Sequence, residues 1–174
     1  TVYGSLTKPT DIGSQGGAGR DADGGYGGGA IFLNVSNTLN VTGVISADGG
    51  NGSVADNAWA SGGCSGGSIW IIAGTLTGSG NISATGGNGT ADPGNNDNGG
   101  GGAGGRIAIF SITNQFTGLT SVTGGNGPGT ASDGNSGTIF KLNYLTGMST
   151  YGDAQSRLFV TNGSVRLETT FSFN

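Results

Sequence analysis

The stretch Gly67-Ser68-Ile69-Trp70-Ile71, followed by Ile82-Ser83-Ala84-Thr85-Gly86-Gly87-Asn88-Gly89, recurs on both sides of itself. Its first phrase reads Gly29-Ala30-Ile31-Phe32-Leu33 in an earlier copy and Gly105-Arg106-Ile107-Ala108-Ile109 in a later one, with a degraded fourth at Gly137-Thr138-Ile139-Phe140-Lys141. The anchoring isoleucines are spaced by 38, 38 and 32 residues, and Gly-Gly-Asn-Gly begins at Gly49, Gly86 and Gly124. A unit of this length cannot bury an apolar face alone, so successive units must stack.

Each repeat holds a regular part and a variable glycine-rich insertion. The regular part offers three short strand candidates. In the first copy these are 31–35, a piece around Leu39, and 44–47; in the second, 69–73, Leu76 and 82–84; in the third, 107–112, Phe116 and 119–122. Three strands and three corners per turn predict an all-β fold, a right-handed parallel β-helix of about four coils with glycine-rich loop insertions and a C-terminal β-hairpin or strand. Alternation sends Ile31, Ile69, Ile107 and Ile139 inward with Leu33, Ile71 and Ile109. Lys141 breaks that column and marks the end of the stack. The opposite face carries Phe32, Trp70, Ala108 and Phe140, so both faces of this strand are apolar and both call for cover. The insertions, running 13–28, 53–66, 90–104 and 128–137, read either as flexible surface loops or as extended glycine strands packed on one another in polyproline II geometry.

The pattern changes after Leu142. Segments 157–161 and 164–168 flank Asn162-Gly163, a strong hairpin signal. The chain then runs into Thr170-Phe171-Ser172-Phe173-Asn174, an alternating strand without an evident partner. The organisation expected is a glycine-rich β-solenoid domain at 1–145 and a capping or inter-subunit hairpin with a terminal strand at 146–174.

Composition sets the limits. Leu, Ile, Val and Phe number 35 of 174 residues, so the core is thin, while only 9% of residues are charged, unlike a disordered chain. The 41 glycines lack the every-third spacing of collagen. The six basic residues Lys8, Arg20, Arg106, Lys141, Arg157 and Arg166 are scattered and the net charge is −4, which argues against nucleic acid as a partner. No apolar run reaches membrane-spanning length. The lone Cys64 has no partner for an internal disulfide.

The chemical motifs are weak. Gly63-Cys64-Ser65-Gly66-Gly67 spells a nucleophile elbow, but that motif needs a following helix and a histidine base, and the chain has no histidine. Segment 100–105 spells a nucleotide-binding glycine motif but precedes a strand instead of a helix. For calcium, oxygen donors occur in Asp21-Ala22-Asp23-Gly24 and in the loop carrying Asp92, Asn95 and Asp97, although neither completes a calcium loop. Turn-forming side chains are the default there, and no cofactor is expected. Six glycosylation sequons start at Asn34, Asn40, Asn51, Asn81, Asn88 and Asn162, of which Asn51, Asn88 and Asn162 sit in turns and are the best acceptors.

Several phrases resemble a glycine-rich repeat module of very large surface and secreted proteins of bacteria, protists and some animals. They are Tyr3-Gly4-Ser5 with Pro9-Thr10-Asp11-Ile12-Gly13-Ser14, then Gly66-Gly67-Ser68-Ile69-Trp70-Ile71, Ile82-Ser83-Ala84, Gly104-Gly105-Arg106-Ile107-Ala108-Ile109 and Gly137-Thr138-Ile139, with an exit at 158–163. The resemblance implies an extracellular structural unit used in tandem. The expected role is a non-enzymatic subunit of an extracellular filament or surface appendage, whose partners are copies of itself or tandem modules. Phe32, Trp70, Phe140, Phe171 and Phe173 are the self-assembly candidates. The alternative is an adhesin for glycans or ice, to which Thr75 and Thr77 point. A carboxylate-dependent polysaccharide-acting enzyme ranks third, because no column of acids lines a strand face.

Overall fold

In the computed structural model, the described residues are 4–19, 24–55, 59–92 and 97–143, together with the backbone of Gln155–Thr161 and Ser164–Thr170. All their regular elements are strands. The chain divides into two compact units, Thr1–Tyr144 and Leu145–Asn174.

The first unit is built on a four-stranded parallel sheet in the order β1 (Ala30–Asn40), β5 (Ser68–Gly78), β7 (Arg106–Phe116) and β9 (Thr138–Asn143). A second parallel sheet follows it in the first three repeats, in the order β2 (Val44–Ser46), β6 (Asn81–Ser83) and β8 (Leu119–Ser121). A short antiparallel pair, β3 (Val54–Ala55) with β4 (Trp59–Ala60), lies within the second insertion. The register is set by the repeat: Ile31 pairs with Ile69, Ile69 with Ile107, and Ile107 with Ile139, while Ile45, Ile82 and Thr120 align in the second sheet. In strands, alternate residues face one side, so every second column is shared by all rows.

The inward columns form the core. Ile69, Ile71, Leu76, Ile82 and Ile107 are fully buried, and Ile31, Leu33, Leu39, Ile45 and Phe116 pack against them half-buried. Burial falls away along the ladder. Ile139, expected inside, continues the register but remains 40% exposed, because among the described residues its strand β9 is the edge of the sheet, with a row on one side only. Lys141 stands opposite Ile109, is exposed, and donates from Nζ to Thr120 Oγ1 at 3.3 Å.

The expected three strands per repeat require correction. The first two candidates form one eleven-residue strand in β1, β5 and β7. No corner forms because the ladder resumes at once: Ala73 pairs with Ser111 and Thr75 with Thr113. The first copy carries one residue more than the second between Val35 and Thr38, and a register shift absorbs it there.

The glycine insertions are hydrogen-bonded rows. In the second insertion, the N–H groups of Gly62 and Ser65 donate to Gly17 and Ser14, those of Gly63 and Gly66 to Gly100 and Ala103, and those of Cys64 and Gly67 to Gly50 and Ala47, at 2.8–3.0 Å. The bonding direction recurs every third residue. That is the period of polyproline II, which has no internal hydrogen bonds and turns its amides outward in three directions. Among the described glycines, only Gly4, Gly78 and Gly129 have positive φ, so close approach explains most of the rest. A Cβ on Gly63, Gly87, Gly102 or Gly125 would collide with the backbone of the neighbouring row. Cys64 is fully buried in this layer, where its Sγ accepts the Gly16 N–H at 3.2 Å.

In the second unit, β10 (Gln155–Thr161) and β11 (Ser164–Thr170) form an antiparallel pair running from Gln155 opposite Thr170 to Thr161 opposite Ser164. The expected turn at Asn162-Gly163 and the self-assembly candidates Phe171 and Phe173 lie outside the described residues.

Candidate functional site

Three surface features arise directly from the stacked register. The first is the outer face of the long sheet. Phe32, Trp70, Ala108 and Phe140 align across β1, β5, β7 and β9. Phe32 is 53% exposed, and its ring lies 4.4 Å from that of Trp70, tilted by 37°. Phe110 and Phe140 pair at 5.5 Å. Such tilted pairs add modestly to the burial that holds them. Ala108, flanked in register by Trp70 and Phe140, is fully buried. The structure thus places the self-assembly candidates Phe32, Trp70 and Phe140 on one apolar strip.

The second feature is a polar ladder along the Gly-Gly-Asn-Gly segments, which were expected as turns but run as extended rows bonded to one another. The Asn88 N–H donates to Asn51 Oδ1 and the Asn126 N–H to Asn88 Oδ1, both at 2.8 Å. Asn51 and Asn88, two of the glycosylation candidates, are exposed and tie successive rows through their carbonyl oxygens. Asn162, the third, lies outside the described residues. Asp48 performs a related role three residues before Asn51. Its carboxylate accepts from the Thr85 N–H at 2.6 Å, from Ser83 Oγ at 2.8 Å and from Ser46 Oγ at 2.7 Å. Burial pushes its carboxyl upward, but these donors, led by the Thr85 amide, outweigh it and hold the group below the ordinary value of 3.8. Recurrence of the asparagine at a near-constant offset was the signal for this ladder; Asp48 occurs once and gave none.

The third feature is a furrow of about 810 Å³ beside the glycine rows, bordered by Asp11, Ser14, Ser65, Ala103, Arg106 and Thr138 among others. Residues 11–14 of the chain itself form part of its lining.

The calcium candidates are not drawn together into a described donor set. Asp92 is buried and its N–H donates to Asn98 Oδ1 at 2.9 Å, Asp97 is exposed, and Asn95 lies outside the described residues, as do Asp21 and Asp23. Among the described residues, no three of His, Cys, Asp and Glu gather in a metal-sized cluster, and no helix is long and apolar enough to cross a membrane. Thr75 and Thr77 stand on either side of the buried Leu76 in β5, and Thr38, Thr75 and Thr113 form one column.

Comparison with protein-family models, with curated proteins and with solved structures finds no match to this chain.

Proposed function

We propose that this chain is a non-enzymatic structural module of an extracellular filament or surface appendage, a right-handed parallel β-helix that assembles with copies of itself or with tandem modules. One observation carries the reading. Gly67, Gly105 and Gly137 each lie so close to the preceding row that a Cβ would strike its backbone, and Gly80 and Gly118 do the same in a second column. Their counterparts in the first row, Gly29 and Gly43, face nothing within 4 Å, yet both are glycine. Nothing among the described residues requires them to be small. A further row from another copy, laid on β1 in the same register, supplies that requirement.

Two observations support this reading. β1 is an edge strand, pairing with β5 alone among the described residues, and such an edge is a template for another chain. Val44 at the same end is 70% exposed, and the strip containing Phe32 adds apolar area alongside. The Thr38, Thr75 and Thr113 column favours a second reading, an adhesin for glycans or ice, but three threonines make a narrow array.

Negative-stain electron microscopy and sedimentation test the assembly. Wild-type protein forms regular fibres at high concentration. Gly29→Val and Gly43→Val retain the monomer fold and lose fibres. Monodisperse wild-type monomers at high concentration, or variants that polymerise like the wild type, overturn the proposal.

A further inference from the structure

Two side chains decide which part of a second copy can lie on the β1 edge. The first is Tyr26. The carbonyls of Tyr26, Cys64 and Gly102 accept the N–H groups of Gly50, Gly87 and Gly125, and with Gly134 these residues stand three positions before Gly29, Gly67, Gly105 and Gly137, so the four form one column of the glycine layer. A Cβ on Gly102 would strike the Cys64 carbonyl and one on Gly134 the Gly102 carbonyl. The column therefore aims each residue at the row before it. Tyr26 belongs to the first row and is 89% exposed. A glycine row continued beyond it would run into the tyrosine side chain.

The second is Lys141. Leu33, Ile71, Ile109 and Lys141 share a column across β1, β5, β7 and β9. Laying β9 of a second copy on β1 in that register would set Lys141 against the half-buried Leu33, where an unpaired charge is costly. The last row of one molecule is thus a poor cover for the first row of another.

The β10–β11 hairpin brings neither obstacle. Segment 153–174 holds Gly163 as its single glycine, so no glycine row accompanies it. Its register sets Leu158 opposite Leu167 and Val160 opposite Val165, alternating with Arg157 opposite Glu168 and Phe159 opposite Arg166. Opposed residues share one side of a sheet and successive ones alternate, so the leucine and valine positions fall on the same side. Two strands alone are marginal in water and gain stability by joining a larger sheet. Among the described residues β10 and β11 pair only with each other, which leaves each a free edge. Both strands have seven residues, the length of Ala30–Ser36, the part of β1 that carries Ile31 and Leu33.

We infer that the β1 edge is the docking site for the β10–β11 hairpin of a second copy, which adds two rows to the long sheet and continues the Ile31 and Leu33 columns with leucine and valine. The inference rests on the assembly reading above and names the segment that supplies the further row. Strand addition draws its affinity from main-chain bonds and its selectivity from alternate side chains. Here the selecting features are the aliphatic alternation of the hairpin and the absence of a glycine row that would meet Tyr26.

Sedimentation of full-length variants tests the inference. Leu158→Asp with Leu167→Asp removes the aliphatic side of the hairpin and leaves β1 intact, whereas Gly29→Val blocks β1 and leaves the hairpin intact. The amide resonances of Ile69 and Ile107 stay in place in both, which reports a folded first unit. Each variant alone sediments as a monomer under conditions in which the wild type assembles. Mixed in equal amounts, they form a one-to-one dimer and go no further, because a single intact edge meets a single intact hairpin. Arg166→Ser with Glu168→Ser, at the alternate positions, assembles like the wild type. A leucine variant that assembles like the wild type, or a mixture that stays monomeric as it would if the hairpin covered its own copy, overturns this inference while wild-type fibres leave the assembly reading standing. Wild-type protein that never assembles overturns both.

Discussion

Replacing Gly87 by alanine is the sharpest perturbation of the glycine layer. The added methyl would meet Gly50 O, Gly50 C and Asn51 N, all of them backbone atoms of the neighbouring row that no rotamer change can move aside. Overpacking of this kind costs about 1–3 kcal/mol. Against it stands the lower entropy of the unfolded chain when glycine becomes alanine, worth about 0.4–1 kcal/mol in favour of the variant. Gly29→Ala supplies the control, since it changes the unfolded chain in the same way but meets nothing within 4 Å. The entropy gain cancels between the two variants, leaving a difference of about 1–3 kcal/mol, with Gly29→Ala at or above wild type and Gly87→Ala below it. Urea titration of dilute, monomeric protein followed by circular dichroism reads this as a separation of midpoints. Equal midpoints would mean that the rows do not approach as described, and the structural account of the glycines would be wrong.

Two further outcomes follow from the core and the polar ladder. Ile107→Ala, at a fully buried site between Ile69 and Ile139, lowers stability by about 2–5 kcal/mol, whereas Ile139→Ala, at the 40% exposed end of the same column, costs clearly less in the same titration. Asp48 has a folded-state pKa below its ordinary 3.8, so its contribution is fully present above that value and is lost as pH falls through the depressed one. Thermal melts of wild type and Asp48→Ala therefore differ at neutral pH and converge below about pH 4, and a constant gap down to the lowest pH counts against the ladder.

The register was legible because the isoleucines report it twice, by their spacing and by their alternation with outward residues. Ile31, Ile69 and Ile107 could be stacked from sequence because a parallel sheet places like residues in line. The length of β1, β5 and β7 was not legible. The first two strand candidates of each repeat were separated in the sequence reading, whereas the ladder runs through the residues between them and carries Thr38 and Thr75 as ordinary strand positions. The glycine rows posed a different difficulty. A glycine run has no side-chain pattern, so flexible loop and packed strand look alike, and the amide directions that separate them depend on neighbouring rows. The docking of segment 11–17 was invisible for a related reason: it occurs once and depends on main-chain atoms and on Ser68, far along the chain.

Methyl nuclear Overhauser contacts in isoleucine-labelled protein test the stacked register most directly. Neighbouring strands of a sheet lie about 4.8 Å apart. The account predicts cross-peaks from Ile31 to Ile69 and from Ile69 to Ile107, with none from Ile31 to Ile107, which stand two strands apart. A missing Ile69–Ile107 contact in the folded protein, or a direct Ile31–Ile107 contact, would contradict it.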